Sequence, residues 1–153
     1  MQPVHVALMV LGTLVSVAVI LKLVWLPIGA RLKRMPDELR GEITAAGERI
    51  VAEPEQASYR GATAEYGRVK GLGVAVLTDR RLVFRGVFGK TMEILREQIV
   101  DVRTDQWFLR AYNGQTVVIM KTRSGAEVGF AFLDAERWAT LLRPRPAFDR
   151  PGK

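Results

Sequence analysis

The chain begins with an apolar run, Val4 to Ile28, reading VHVALMVLGTLVSVAVILKLVWLPI, and this run limits the architecture more than anything after it. A helix of about 20 apolar residues crosses the hydrocarbon core of a bilayer. Lys22 is the only Lys, Arg, Asp or Glu before Arg31. Its long stem can carry the ammonium to the headgroups. Trp25 lies one turn further on, at the depth where aromatic belts form, and Pro27 and Gly29 are expected to end the helix. A cleaved signal peptide would need a positive segment ahead of the run, and none is present. A buried helix of a soluble domain would rarely stay free of charge for so long. The run therefore reads as a single transmembrane anchor over residues 1–30.

Charge on either side of the run sets the expected orientation. No Lys or Arg precedes it, whereas Arg31, Lys33, Arg34 and Arg40 follow. By the positive-inside rule the C-terminal flank is cytoplasmic, with the N-terminus outside the plasma membrane. Lys22, Trp25, Arg31, Lys33 and Arg34 form the membrane flank. Residues 31–47 carry mixed charge with Pro36, Gly41 and Gly47, and are expected to be a juxtamembrane linker, either a short helical stalk or a flexible segment.

From Glu48 the pattern changes to short alternating runs separated by turn residues, the signature of antiparallel strands. Strands are expected at Ala57–Ala62, Leu72–Thr78, Arg81–Arg85, Met92–Leu95, Ile99–Arg103 running toward Trp107, Thr116–Thr122 and Glu127–Phe132. Asp79-Arg80, Gly89-Lys90, Asn113-Gly114 and Ser124-Gly125 supply turns between them, and Asn113-Gly114 is the strongest two-residue hairpin signal because both positions accept positive φ. The period then becomes helical. Asp134 is a candidate N-cap, Ala135, Trp138, Ala139 and Leu142 share one apolar face, and Pro144 stops the helix. Residues 144–153, Pro-rich and charged, read as a disordered tail.

This order, about seven antiparallel strands and then one C-terminal helix, resembles the pleckstrin-homology-like (PH-like) superfold, a bent seven-stranded sheet capped by a helix. GLGVAVLTDRRLVF, Gly71 to Phe84, resembles the central motif of GRAM and bacterial PH-like domains, and ILREQIVDVR, Ile94 to Arg103, the segment after it. The resemblance covers about Glu48 to Arg143. It implies a mainly β domain over 48–143 in which basic residues near the loop between the first two strands hold an anionic headgroup. Arg68 and Lys70 fall in that loop, and Lys90 is expected at the same open end. The strand LGVAV lacks the basic residues of the phosphoinositide-binding pattern.

Chemistry is sparse. The net charge of +7 is spread along the chain, without the clustered Lys and Arg of a nucleic-acid surface. The absence of Cys excludes disulfides, thiol catalysis and Cys-based zinc sites. The one His, His5, lies in the apolar run, so the domain has no His-based triad. Glu93, Glu97, Asp101 and Asp105 read as a solvated face, and Trp107, Phe108, Tyr112 and Trp138 as packing residues. GRVKGLG, Gly67 to Gly73, precedes a strand, whereas phosphate loops open a helix. Arg far outnumbers Lys, a bias of GC-rich bacterial genomes. The expectation is a non-catalytic, cofactor-free binding or scaffold module tethered to membrane lipid by its anchor, with a membrane or cytosolic protein partner. Direct recognition of anionic headgroups is the alternative, and an accessory subunit of a membrane enzyme a further one. Gly12 and Ser16 form a small-xxx-small pair through which two anchors can pack, so a homo-oligomer is also considered.

Overall fold

The computed structural model describes residues 3–144. The order is helix α1 (Pro3–Ala45), strands β1 (Ile50–Ala62), β2 (Gly71–Thr78), β3 (Arg81–Gly86), β4 (Thr91–Leu95), β5 (Ile99–Phe108), β6 (Ala111–Thr122) and β7 (Glu127–Phe132), and helix α2 (Ala135–Leu142). A single turn of 3-10 helix, Arg96–Gln98, joins β4 to β5. The expected tail lies beyond Pro144, outside the described residues.

The chain divides into two compact units, one ending at Arg34 and one beginning at Met35. In the first, α1 exposes apolar side chains all round, Leu8, Leu14, Ile20 and Leu26 among them. It is long and apolar enough to span a membrane. Lys22, Trp25, Arg31, Lys33 and Arg34 are all exposed on it. Ser16 Oγ donates to Gly12 O at 2.8 Å, so the hydroxyl is already satisfied within its own helix.

The helix does not stop at Pro27 and Gly29 as the sequence suggests. It continues through Pro36 to Ala45. A helix-interior proline costs one backbone hydrogen bond and crowds the preceding turn. In the stretch expected as a linker, tertiary packing offsets that cost. Met35, Leu39 and Ile43 recur at i, i+4 and i+8 and are buried. Glu42 accepts from both terminal nitrogens of Arg85, at 2.8 and 2.5 Å, and Arg40 Nε donates to Glu53 at 2.9 Å. The Glu42–Arg85 pair ties this stretch to β3, and on the side of β2 and β3 opposite the core Val74, Val76 and Val83 are buried.

All seven strands form one antiparallel sheet in the order β4-β3-β2-β1-β7-β6-β5, curled into a half-barrel. β1 pairs with both β2 and β7, joining the two halves. It begins seven residues before the expected strand start, because Ile50–Gln56 pair with the far half of β2. Alternate residues fill the core: Ala57 and Tyr59 from β1, Leu82 and Phe84 from β3, Val128, Phe130 and Phe132 from β7. Phe130 lies 5.3 Å from both Tyr59 and Phe84, ring centre to ring centre. α2 closes the barrel. Asp134 caps it by accepting from Arg137 N at 3.0 Å, while Trp138, Ala139 and Leu142 turn inward. Trp138 stacks on Phe132 at 4.1 Å, and its Nε1 donates to Glu55 at 2.6 Å, satisfying the one polar atom that the ring buries.

The β5–β6 hairpin departs from expectation. Its turn is Leu109-Arg110, both in the left-handed region at φ 52° and 62°. Asn113-Gly114 instead lies inside β6 and makes a bulge. Between the pairs Asp105↔Val117 and Trp107↔Tyr112, β5 advances two residues and β6 five. Gly114 supplies the positive φ, and Asn113 Nδ2 donates to Ala111 O at 3.0 Å across the kink. The kinked arm packs Phe108 where a Gly129 side chain would stand and Leu109 over Gly61.

Candidate functional site

Three loops meet at one end of the sheet, and the basic residues expected from the sequence lie on two of them. Tyr59, fully buried, donates its hydroxyl to Tyr66 O at 3.1 Å and also contacts Gly67 O. It thereby ties the β1–β2 loop to the core. Burial pushes the Tyr59 phenol up to about 12. Lys90, in the β3–β4 turn, places Nζ 4.1 Å over the Tyr59 ring, and 3.5 Å from where a Gly67 side chain would begin. Burial lowers the Lys90 ammonium below its ordinary value. Lys90 is thus a half-buried cation held on an aromatic face. Arg68 and Lys70 are exposed on the β1–β2 loop, on either side of Val69. The structure places all three cations at this end, and of them it engages Lys90 inward.

Signals beyond the cations went unread in the sequence. Val69 is 77% exposed and Phe88, at the tip of the β3–β4 turn, 83% exposed. The β5–β6 turn joins them, since Gly61 lies against both Leu109 and the Arg68 carbonyl. Trp107 and Tyr112 pair at 5.7 Å beside that turn, 59% and 57% exposed. They were expected as packing residues. Only Phe108 of that trio is buried, because strand alternation sends its neighbours to the opposite face. Phe88 was legible in VFGK as an apolar residue next to a turn glycine.

A second feature is the free edge of β5. It pairs with β6 and with no other described strand. α2 packs beside it, with Thr104 Oγ1 donating to Glu136 at 3.2 Å. Along this edge Ile99 and Val102 point inward while Val100, Asp101 and Arg103 are exposed. No group of three or more His, Asp or Glu with metal-binding geometry occurs among the described residues.

Two of the four regularly spaced carboxylates, Glu93 and Asp105, hold arginines. Glu93 accepts from Arg81 at 2.6 Å, and Asp105 from Arg103 at 3.3 Å. Arg81 also donates to Glu48, Nη2 to Oε1 at 2.6 Å. Burial pushes the Glu48 carboxyl up, but the Arg81 guanidinium, the Thr78 hydroxyl and nearby Arg80 together outweigh it and hold the group below the ordinary carboxylate value.

No family model matches this chain, and no curated protein does either. Among solved structures it is similar to the crystal structure of the C-terminal domain of an unknown protein from Leishmania infantum. The identity is 17%, the TM-score 0.52, and the match covers 69% of this chain and 92% of that one. That likeness concerns the fold. The curled seven-stranded sheet with its C-terminal helix fits a PH-like fold.

Proposed function

We propose that this chain is a non-catalytic, membrane-tethered binding module of the bacterial GRAM-like kind, presenting its PH-like domain at the cytoplasmic face to a protein partner. The observation that carries the reading is the unpaired edge of β5 beside α2, where an extended segment can add as an eighth strand. Main-chain hydrogen bonds would provide affinity, and Val100 and α2 side chains selectivity. The charge asymmetry around the apolar helix supports the orientation. Tethering raises local concentration, so modest intrinsic affinity suffices. The test is crosslinking in the native membrane followed by affinity purification, comparing the wild type with Val100→Lys/Thr104→Lys. A protein captured by the wild type and lost from the edge variant supports strand addition. Equal capture by both excludes the β5 edge.

A second reading, contact with anionic lipid headgroups, is favoured by the clustering of exposed Val69 and Phe88 with Arg68 and Lys70. Apolar tips flanked by cations suit the interface of an anionic bilayer. Trp107 reports on it: in nanodiscs its emission would shift to the blue with anionic but not zwitterionic lipid. That difference would vanish in Trp107→Phe and shrink in Arg68→Ala/Lys70→Ala. No difference between lipids rejects this reading.

A further inference from the structure

Arg60 occupies a bulge in β1. The pairing with β7 runs from Tyr59↔Phe130 to Gly61↔Gly129, leaving Arg60 as the extra residue. A bulge re-aims the side chain of its extra residue. Here that side chain is half-buried on the outer face, opposite Ala57 and Tyr59 in the core. Its Nε is out of contact with solvent and has no hydrogen-bond acceptor among the described residues. Among the described residues no ion pair involves Arg60 either, in a domain where Arg40, Arg81, Arg85, Arg103 and Arg137 each hold a carboxylate. A buried donor left unmatched is costly, and a guanidinium more so than a neutral group.

Arg60 lines a groove of about 430 Å³. Its floor is a lateral row across three strands, Leu72, Ser58 and Ala131, set by the pairs Ser58↔Leu72 and Ser58↔Ala131. Gln56 and Gln115 add amide donors at the rim, and Leu133, almost wholly exposed, adds an apolar wall. No acidic residue lines it among the described residues. One arginine, two amides and a hydroxyl therefore face a space bordered by two leucines.

We propose that this groove binds a small organic anion, a carboxylate or a phosphate monoester with a short apolar tail, through the Arg60 guanidinium. The planar fork donates to two anion oxygens, a geometry that Lys cannot reproduce. Ser58 and the two amides complete the polar shell, and Leu72 and Leu133 cover the tail. The site lies on the outer face of β1, separated from the β5 edge by β7 and β6, at the end of β1 that leads into the loop of Arg68 and Lys70.

The test uses the full chain with ¹⁵N-labelled arginine in maltoside micelles, titrated with acetate, butyrate, inorganic phosphate and butyl phosphate. The expected result is a saturable shift of the Arg60 Nε–H resonance. Affinity should rise about fourfold for each methylene that the leucines cover. In isothermal titration calorimetry, which needs no arginine signal, Arg60→Gln should weaken binding at least about tenfold relative to the wild type, and Arg60→Lys nearly as much. Saturation by only the carboxylates or only the phosphates keeps the site and identifies its anion. If no probe produces a saturable shift in the wild type, or if Arg60→Gln binds as tightly, the proposal is overturned. The wild-type titration decides the question even where a variant folds poorly.

Discussion

Gly73 and Gly129 show how single residues set the curvature of this sheet. A Cβ on Gly73 would stand 2.1 Å from the Arg85 carbonyl oxygen, where β2 and β3 cross closely at the pair Gly73↔Gly86. Backbone on both sides leaves nothing to move, so Gly73→Ala should destabilise the domain by at least about 3 kcal/mol, measured by urea unfolding. Gly129 is different, because a Cβ there would meet the Phe108 ring at 2.5 Å. A side chain can give way. Gly129→Ala should cost about 1–3 kcal/mol, and Phe108→Leu in that background should recover part of the loss in a double-mutant cycle. Glu48 makes a pH prediction. Its folded-state carboxyl is lowered, so the stabilisation is present above the unfolded-state value and is lost as pH falls through the folded one. Glu48→Gln should cost about 1–3 kcal/mol at pH 7, discounted for the partial exposure of Arg81. The gap from the wild type should close as unfolding is measured at pH 4 and then pH 3.

At the level of elements, the β5–β6 hairpin is the informative case. Asn113-Gly114 carries the local preference for a two-residue turn, yet Leu109-Arg110 makes it. Non-glycine residues in the left-handed region cost about 1–2 kcal/mol each. That cost is tolerated because the earlier turn lets Phe108 and Leu109 reach Gly129 and Gly61, a tertiary gain that local propensity does not register. Arg110 is exposed, so Arg110→Gly should relieve its strain without losing a packed side chain. We expect a gain of about 1 kcal/mol, read as a higher urea midpoint at unchanged slope. The strands from β2 to β4 and β7, together with α2, were legible from alternation and capping. The first half of β1 was not, because EPEQ carries two glutamates and a proline. Glu55 is drawn in by Trp138 and Arg137, partners remote in sequence.

For the molecule as a whole, the consequential finding is that the compact unit begins at Met35. The segment expected as a linker contributes Met35, Leu39 and Ile43 to it. Leu39→Ala should cost about 2–5 kcal/mol, as for a fully buried leucine. A soluble fragment of residues 35–144 should unfold cooperatively, whereas one of residues 48–144 should be far less stable and expose Val74, Val76 and Val83. Binding of a hydrophobic dye to each fragment distinguishes them.

What the sequence determined by itself is whatever depends on neighbours along the chain. It specified a long apolar helix carrying one lysine, the alternation of strands, the Asp134 cap and the PH-like order of seven strands and a helix. It also put Arg68, Lys70 and Lys90 on loops, since loop position follows from strand order. Only the tertiary structure decided that α1 runs on past Pro36, that the turn is at Leu109-Arg110, that Lys90 sits on Tyr59, and that Arg60 bulges into a groove without a partner among the described residues. Each depends on contacts between segments far apart in sequence, where burial and steric fit outweigh preferences of a few tenths to about 1 kcal/mol per residue.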